Sequence, residues 1–209
     1  NIRINWAPYV MFTNQLNVRS EVCNTDVQGF RQTWRNEQIL DYDVFQEYAG
    51  PKGIVCGGSA AFGVGASSDG MTIPSQLNRR NDMMWFNFGG RATNSTQEVL
   101  LFLLHLPRVD EVFLFSGVNN LVTMIQSSKY SLPLGGFLND DRFYQLNSGR
   151  PEGLSQLLRL RIGQLIQKTG GRQPNADLSE RFDQGMKIIE RDLERWRILR
   201  DSMGFSLTY

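Results

Sequence analysis

Cysteine is scarce in this sequence, and what little there is carries no chemistry by spacing. Cys23 and Cys56 are the only two in 209 residues, and their separation fits no metal-ligand pattern. Cys56 ends an apolar run, where a free thiol behaves as a small buried hydrophobe. Free thiols fit a reducing compartment, so the expectation is a cytoplasmic protein without disulfides. An excess of one charge is also lacking. Lys plus Arg number 22 against 21 Asp plus Glu, which removes any general attraction to nucleic acid or to an anionic membrane. No apolar run reaches 18 residues, which argues against a membrane-spanning helix. The N-terminus shows no charged-then-apolar signal pattern. It begins at Asn1, which leaves room for an upstream segment, a targeting segment included. Two phosphate-binding motifs are missing as well. No G-x-G-x-x-G follows a strand with its acidic partner, and no G-x-x-x-x-G-K-S/T occurs.

What is present is an alternation of short apolar runs and helical patterns. Gly53–Cys56, Met83–Phe88, Glu111–Phe115 and Phe205–Tyr209 read as four strands, the first three ending in Gly or Ser-Gly. Between them lie helical signals. Ser95 to Glu98 has the form of a capping box, followed by an apolar run from Val99 to Leu106. Leu154, Leu157, Leu158, Ile162, Leu165 and Ile166 repeat at helical spacing. Phe182, Met186, Ile189, Leu193, Trp196 and Met203 mark a helix of about 25 residues. Late basic residues (Arg191, Arg195, Arg197, Arg200) interleave with Glu190, Asp192, Glu194 and Asp201, as on a solvated, ion-paired helix face. Short apolar strands alternating with helices predict an α/β fold with a parallel sheet covered on both faces. Residues 1–50 are aromatic and polar without a clear period, and Gly50-Pro51 closes them. They are expected to form an N-terminal extension packed on a main domain spanning 51–209. Residues 131–153 form a long aperiodic stretch, and 170–175 a second break.

In open α/β sheets, ligands bind beyond the carboxyl ends of the strands. Three polar, Gly-rich segments fall there: Gly57–Gly63, Asn87–Ser95 and Ser116–Asn120. A serine after two glycines at a strand end exposes its hydroxyl. Free backbone N–H groups and an Asn amide are suitable donors to a developing oxyanion. Each motif alone has a plainer reading. Gly-Gly-Ser is commonly a simple turn, and Gly117-Val-Asn-Asn120 is equally compatible with a helix cap.

Taken in order, the three segments resemble the SGNH hydrolase superfamily, the GDSL-type esterases and lipases of bacterial type. Gly57-Gly58-Ser59 through Gly63 resembles the first block, Gly-Asp-Ser-x-x-x-Gly, with Gly58 in place of Asp. Asn87-x-Gly89 followed by Ser95–Glu98 resembles the second, with Ala92 where the family has an oxyanion glycine. Gly117-Val-Asn119-Asn120 resembles the third, Gly-x-Asn-Asp, with Asn120 in place of Asp. The resemblance implies a flavodoxin-like three-layer α/β/α fold and a serine esterase or acyl hydrolase acting on a small acyl ester, with no metal or organic cofactor. It implies Ser59 as nucleophile, and Ala92 N–H and the Asn119 amide as oxyanion donors beside the Ser59 N–H. An acyltransferase on the same scaffold, or a non-catalytic SGNH-like binding or regulatory protein, are the alternatives.

One block is missing. The family's Asp-x-x-His, which supplies the base, has no counterpart, and His105 is the only histidine. It lies within the helical run after the second block and reads as a structural helix histidine. The expectation is therefore a missing C-terminal strand and catalytic block, with Asp and His supplied by a further C-terminal segment or by a second chain.

Overall fold

The computed structural model describes residues 4–126 and 178–209. The N-terminal segment forms two antiparallel hairpins, β1 (Ile4–Ala7) with β2 (Met11–Asn14) and β3 (Thr33–Arg35) with β4 (Gln38–Leu40). A short helix, α1 (Tyr42–Glu47), follows. The alternating part then runs β5 (Lys52–Gly57), α2 (Ser59–Phe62), α3 (Ile73–Asn78), β6 (Met84–Gly89), α4 (Ser95–His105), β7 (Glu111–Phe115) and α5 (Val118–Gln126). After the intervening residues come α6 (Leu178–Met203) and β8 (Ser206–Thr208). The expected helix over 154–166, the stretch 131–153 and the break at 170–175 lie outside the described residues.

Among the described residues the main sheet has four strands in the order β6-β5-β7-β8, and every pairing is parallel. All four expected strands are present; β7 has the expected ends, and the ends of the other three are shifted by one residue. Every residue of β5 and of β6 is buried, as central strands of a parallel sheet must be when both faces are covered. Strand alternation divides the core. Ile54, Cys56, Phe86, Phe88, Val112 and Leu114 pack with Val99 and Phe102 of α4 and Trp196 of α6. Val55 and Trp85 pack with Ala61 of α2, and Ile73, Leu77 and Phe113 lie against them. The fold is thus α/β, with an all-parallel sheet flanked by helices. No described helix is long and apolar enough to cross a membrane.

Two expectations about helices are corrected. The capping box of α4 is built from Asn94 and Gln97, not from Ser95 and Glu98. Asn94 Oδ1 accepts from Gln97 N–H and Gln97 Oε1 from Asn94 N–H, both at 3.0 Å. The true cap lies one residue earlier, which frees the Ser95 and Glu98 side chains for other partners. On α6, Gly185, Ile188, Asp192 and Trp196 are buried and Leu193 packs against the core, whereas Phe182, Met186 and Met203 are exposed. The apolar stripe read from the sequence is rotated about one residue from the face that packs.

The N-terminal segment is tied into the main sheet by buried polar groups. Arg31 and Asp69 form an ion pair at 2.7 Å with 2% and 4% of their side chains exposed. The remaining capacity of both groups is used. Arg31 also donates to the Gly63 and Val22 carbonyls, and Asp69 accepts from the Asn24 backbone and side-chain amides. Phe30, Tyr42 and Phe45 add an aromatic layer against Phe86 and Phe88.

Breaking one side of such a pair strands a buried charge, at a cost of about 3–5 kcal/mol. Arg31→Ala is expected to lower the unfolding free energy, read from urea denaturation, by that amount. The double change Arg31→Met with Asp69→Leu should cost clearly less, because no charge is left behind. Equal losses in the two variants would show that the pair's charge is not what matters.

Candidate active site

The site begins where β5 leaves the sheet. Gly57 has φ +152°, and a Cβ there would lie 2.1 Å from the Phe115 carbonyl oxygen. Only glycine allows this approach of the β5 and β7 backbones. The Gly57 carbonyl in turn accepts from Gly90 N–H at 2.8 Å and from the Thr93 hydroxyl at 3.3 Å. The ends of three adjacent strands are therefore bound to one peptide. Ser59 follows as the first residue of α2 and is half-buried. Its hydroxyl has no hydrogen-bond partner among the described residues. The far end of this four-residue helix is held by Gly63 in the left-handed conformation and by Arg31 on the Gly63 carbonyl at 2.7 Å.

The second segment is shaped by two buried asparagines. Asn87 donates to the Phe62 carbonyl at 3.2 Å and accepts from Gly89 N–H at 3.1 Å, joining β6 to α2. Asn14, from β2, donates to the Gly89 carbonyl at 3.2 Å and accepts from Arg91 N–H at 2.9 Å. Beyond this clamp the chain turns through Ala92 at φ +60°. Glycine adopts that region without a Cβ penalty, which is a physical reason for glycine at such a position. Ala92 is exposed, and its N–H has no backbone partner among the described residues.

The third segment follows β7. Gly117, at φ +112°, turns the chain into α5. Asn120 is buried and serves as a brace: it accepts from Ser95 N–H at 3.0 Å and donates to Ser95 Oγ at 2.8 Å. Asn119 lies within α5, and its amide donates to the Thr93 carbonyl at 2.6 Å. It is therefore not a helix cap. The amide reaches as far as Gly58, where a Cβ would come within 2.7 Å of Asn119 Nδ2 and 3.5 Å of the Thr93 oxygen. A side chain at residue 58 would push against the Asn119 amide, which would have to shift. The segments carrying Ser59, Ala92 and Asn119 thus meet at the carboxyl ends of β5, β6 and β7.

His105 is remote from this convergence. The N-terminus of α4 is beside the cleft, through the Asn120–Ser95 contacts, and His105 is its last residue. Its ring packs edge-on against Phe30, Tyr42 and Phe88 at centroid distances of 4.9, 5.1 and 5.8 Å. Burial among these rings lowers its pKa.

Two acidic residues beside the cleft, Asp192 and Glu98, have places other than those expected from the sequence. Asp192 is fully buried, contrary to its expected place on a solvated face. Its carboxylate accepts from Ser95 Oγ at 2.6 Å, Thr96 Oγ1 at 2.7 Å and Arg195 at 2.6 Å. The signal was its spacing, four residues before Trp196 on one helix face. Four of the other charges pair at the surface, Arg197 with Glu194 and Arg200 with Asp201. Glu98 is 2% exposed, with Ser116 beside it on the wall of one cavity. Burial, with the Asp192 charge adding, pushes its carboxyl up to about 8 against the ordinary 4.5. Among the described residues, no group of three or more His, Cys, Asp or Glu could hold a metal ion.

Relieving the left-handed alanine should help the fold. Ala92→Gly is expected to stabilise by up to about 1 kcal/mol, since left-handed strain of roughly 1–2 kcal/mol exceeds the chain entropy glycine adds. A lower melting temperature for this variant would contradict the strain argument. Glu98 gives a pH dependence of definite sign. Between pH 4.5 and about 8 the folded protein holds a proton that the unfolded chain has lost. Stability contributed by the neutral carboxyl is therefore present below that window and declines as pH rises through it. Urea midpoints at pH 5, 7 and 9 should fall more steeply for wild type than for Glu98→Gln, and parallel curves would rule this out.

In comparisons with known proteins, the chain matches no family model and no curated protein.

Proposed function

We propose that this protein is a serine hydrolase of SGNH type on a flavodoxin-like three-layer α/β/α fold, cleaving a small acyl ester through an acyl-enzyme on Ser59. The observation that carries the reading is the meeting of the Ser59, Ala92 and Asn119 segments at one end of the parallel sheet. The strand order β6-β5-β7-β8 adds support, because the chain steps outward from β5 to β6 and then crosses back to β7. Ligands of open α/β sheets bind at such a switch point.

In this reading Ser59 Oγ attacks the ester carbonyl while a base removes the hydroxyl proton. The tetrahedral oxyanion is held by Ser59 N–H, Ala92 N–H and the Asn119 amide. One hydrogen of that amide is anchored on the Thr93 carbonyl, and the second is available to the oxyanion. Each aligned donor lowers the barrier by roughly 2.7–4 kcal/mol. The tetrahedral intermediate collapses, the leaving alcohol takes the proton, and water then attacks the acyl-Ser59 ester to release the acid and restore the hydroxyl. His105 is not assigned as the base. A base must come within about 2.6–3.2 Å of the nucleophile, directly or through one water, and His105 is engaged in the aromatic cluster at the other end of α4. The reading assigns the base to a histidine outside these 209 residues, on a further segment or a second chain.

A second reading, a non-catalytic SGNH-like binding protein, is favoured by the absence of a base beside Ser59 among the described residues. The full-length protein separates the two. In the hydrolase reading, a fluorophosphonate probe labels wild type and not Ser59→Ala, and His105→Gln labels at the wild-type rate. Asn119→Ala should then lower kcat on short aryl esters by about 10²–10³ with little change in KM. Absence of both labelling and ester cleavage would leave the binding protein as the better account.

A further inference from the structure

A cavity of about 220 Å³ lies between α4, α6 and the end of β7, on the sheet face opposite α2. Leu114, Leu193 and Trp196 supply apolar wall, and Glu98, Asp192 and Ser116 supply its polar groups. We propose that this cavity binds a small organic cation, a primary ammonium on a short apolar body, with the ammonium against Glu98 and the body against Leu114, Leu193 and Trp196. The inference does not depend on the reaction proposed at Ser59.

The polar groups are unequally satisfied. Asp192 is complete, with two hydroxyls on one oxygen and Arg195 on the other. Glu98 is not. Its Oε1 is buried with no hydrogen-bond partner among the described residues. Leaving a buried acceptor unmade costs about 1–3 kcal/mol, and native proteins keep few such atoms. The Glu98 carboxyl lines an open cavity, so a donor bound there would give it a partner.

Charge decides what kind of donor. With Glu98 ionised, two carboxylates would face one guanidinium, that of Arg195. The other titratable neighbours do not correct the balance: the Cys56 thiol is pushed well up by burial, and Tyr209 is largely exposed. An ammonium supplies the missing positive charge as well as the hydrogen bond. A bare divalent cation does not fit, because calcium takes six to eight oxygen ligands and magnesium about six, and both Asp192 oxygens are committed. The volume corresponds to about seven waters at ~30 Å³ each, the size of a molecule with roughly five to eight non-hydrogen atoms.

The test uses n-butylamine and 1-butanol, which share an apolar body, on the full chain at pH 7. Binding is read by tryptophan fluorescence and by calorimetry in two buffers of different ionisation heat. Butylamine should bind at least tenfold more tightly than butanol. Its binding should release close to one proton per site, because the ammonium turns the neutral Glu98 carboxyl into a carboxylate. Glu98→Gln should abolish the preference and the proton release. Leu193→Trp, which fills the cavity and leaves Glu98 in place, should abolish butylamine binding. Butanol binding as tightly as butylamine, identical heats in both buffers, no binding at millimolar butylamine, or binding that survives in both variants would each overturn the proposal.

Discussion

The close approach of two backbones at the end of β5 governs the arrangement of the candidate site. Gly57 lies against the Phe115 peptide at a distance no Cβ would tolerate, and its carbonyl holds the turn after β6 through Gly90 and Thr93. Three strand ends are thereby fixed to one peptide unit. The next residue, Gly58, leaves room for the Asn119 amide. Two consecutive missing side chains let the end of β5 approach the Phe115 peptide and the Asn119 amide closely.

The N-terminal segment contributes more than cover. Asn14 holds the peptides on either side of Gly90, and Arg31 holds the end of α2. Both side chains are buried and reach backbone groups of loops that have no regular hydrogen-bonding partners of their own. Loops can only be rigid if such groups are satisfied, so the clamps are what allow short, glycine-rich turns to keep one geometry. The same logic operates on the other face, where Asp192 ties α6 to the first turn of α4 and Asn120 ties α5 to the same turn. Glu98, one turn further along α4, is left with an unmade acceptor, and it is the polar group there whose charge state is open to change.

The sequence by itself determined the alternation of strands and helices, the parallel class of the sheet and the three segments at its carboxyl end. Those features are local: apolar runs of strand length, glycines where the chain must turn, and helical spacing in between. It did not determine the two N-terminal hairpins, whose strands are three or four residues long and carry little period. It also mistook the cap of α4 by one residue and the packed face of α6 by one step, since several registers of Ser, Thr, Asn and mixed charge satisfy the same local rules. Only the tertiary structure decided that Asp192 is buried, that Gly58 lies against the Asn119 amide, that Ala92 is left-handed, and that His105 belongs to an aromatic cluster. Each depends on a partner tens of residues away. A charge is solvated or buried according to what packs over it, and that is a property of the assembled chain.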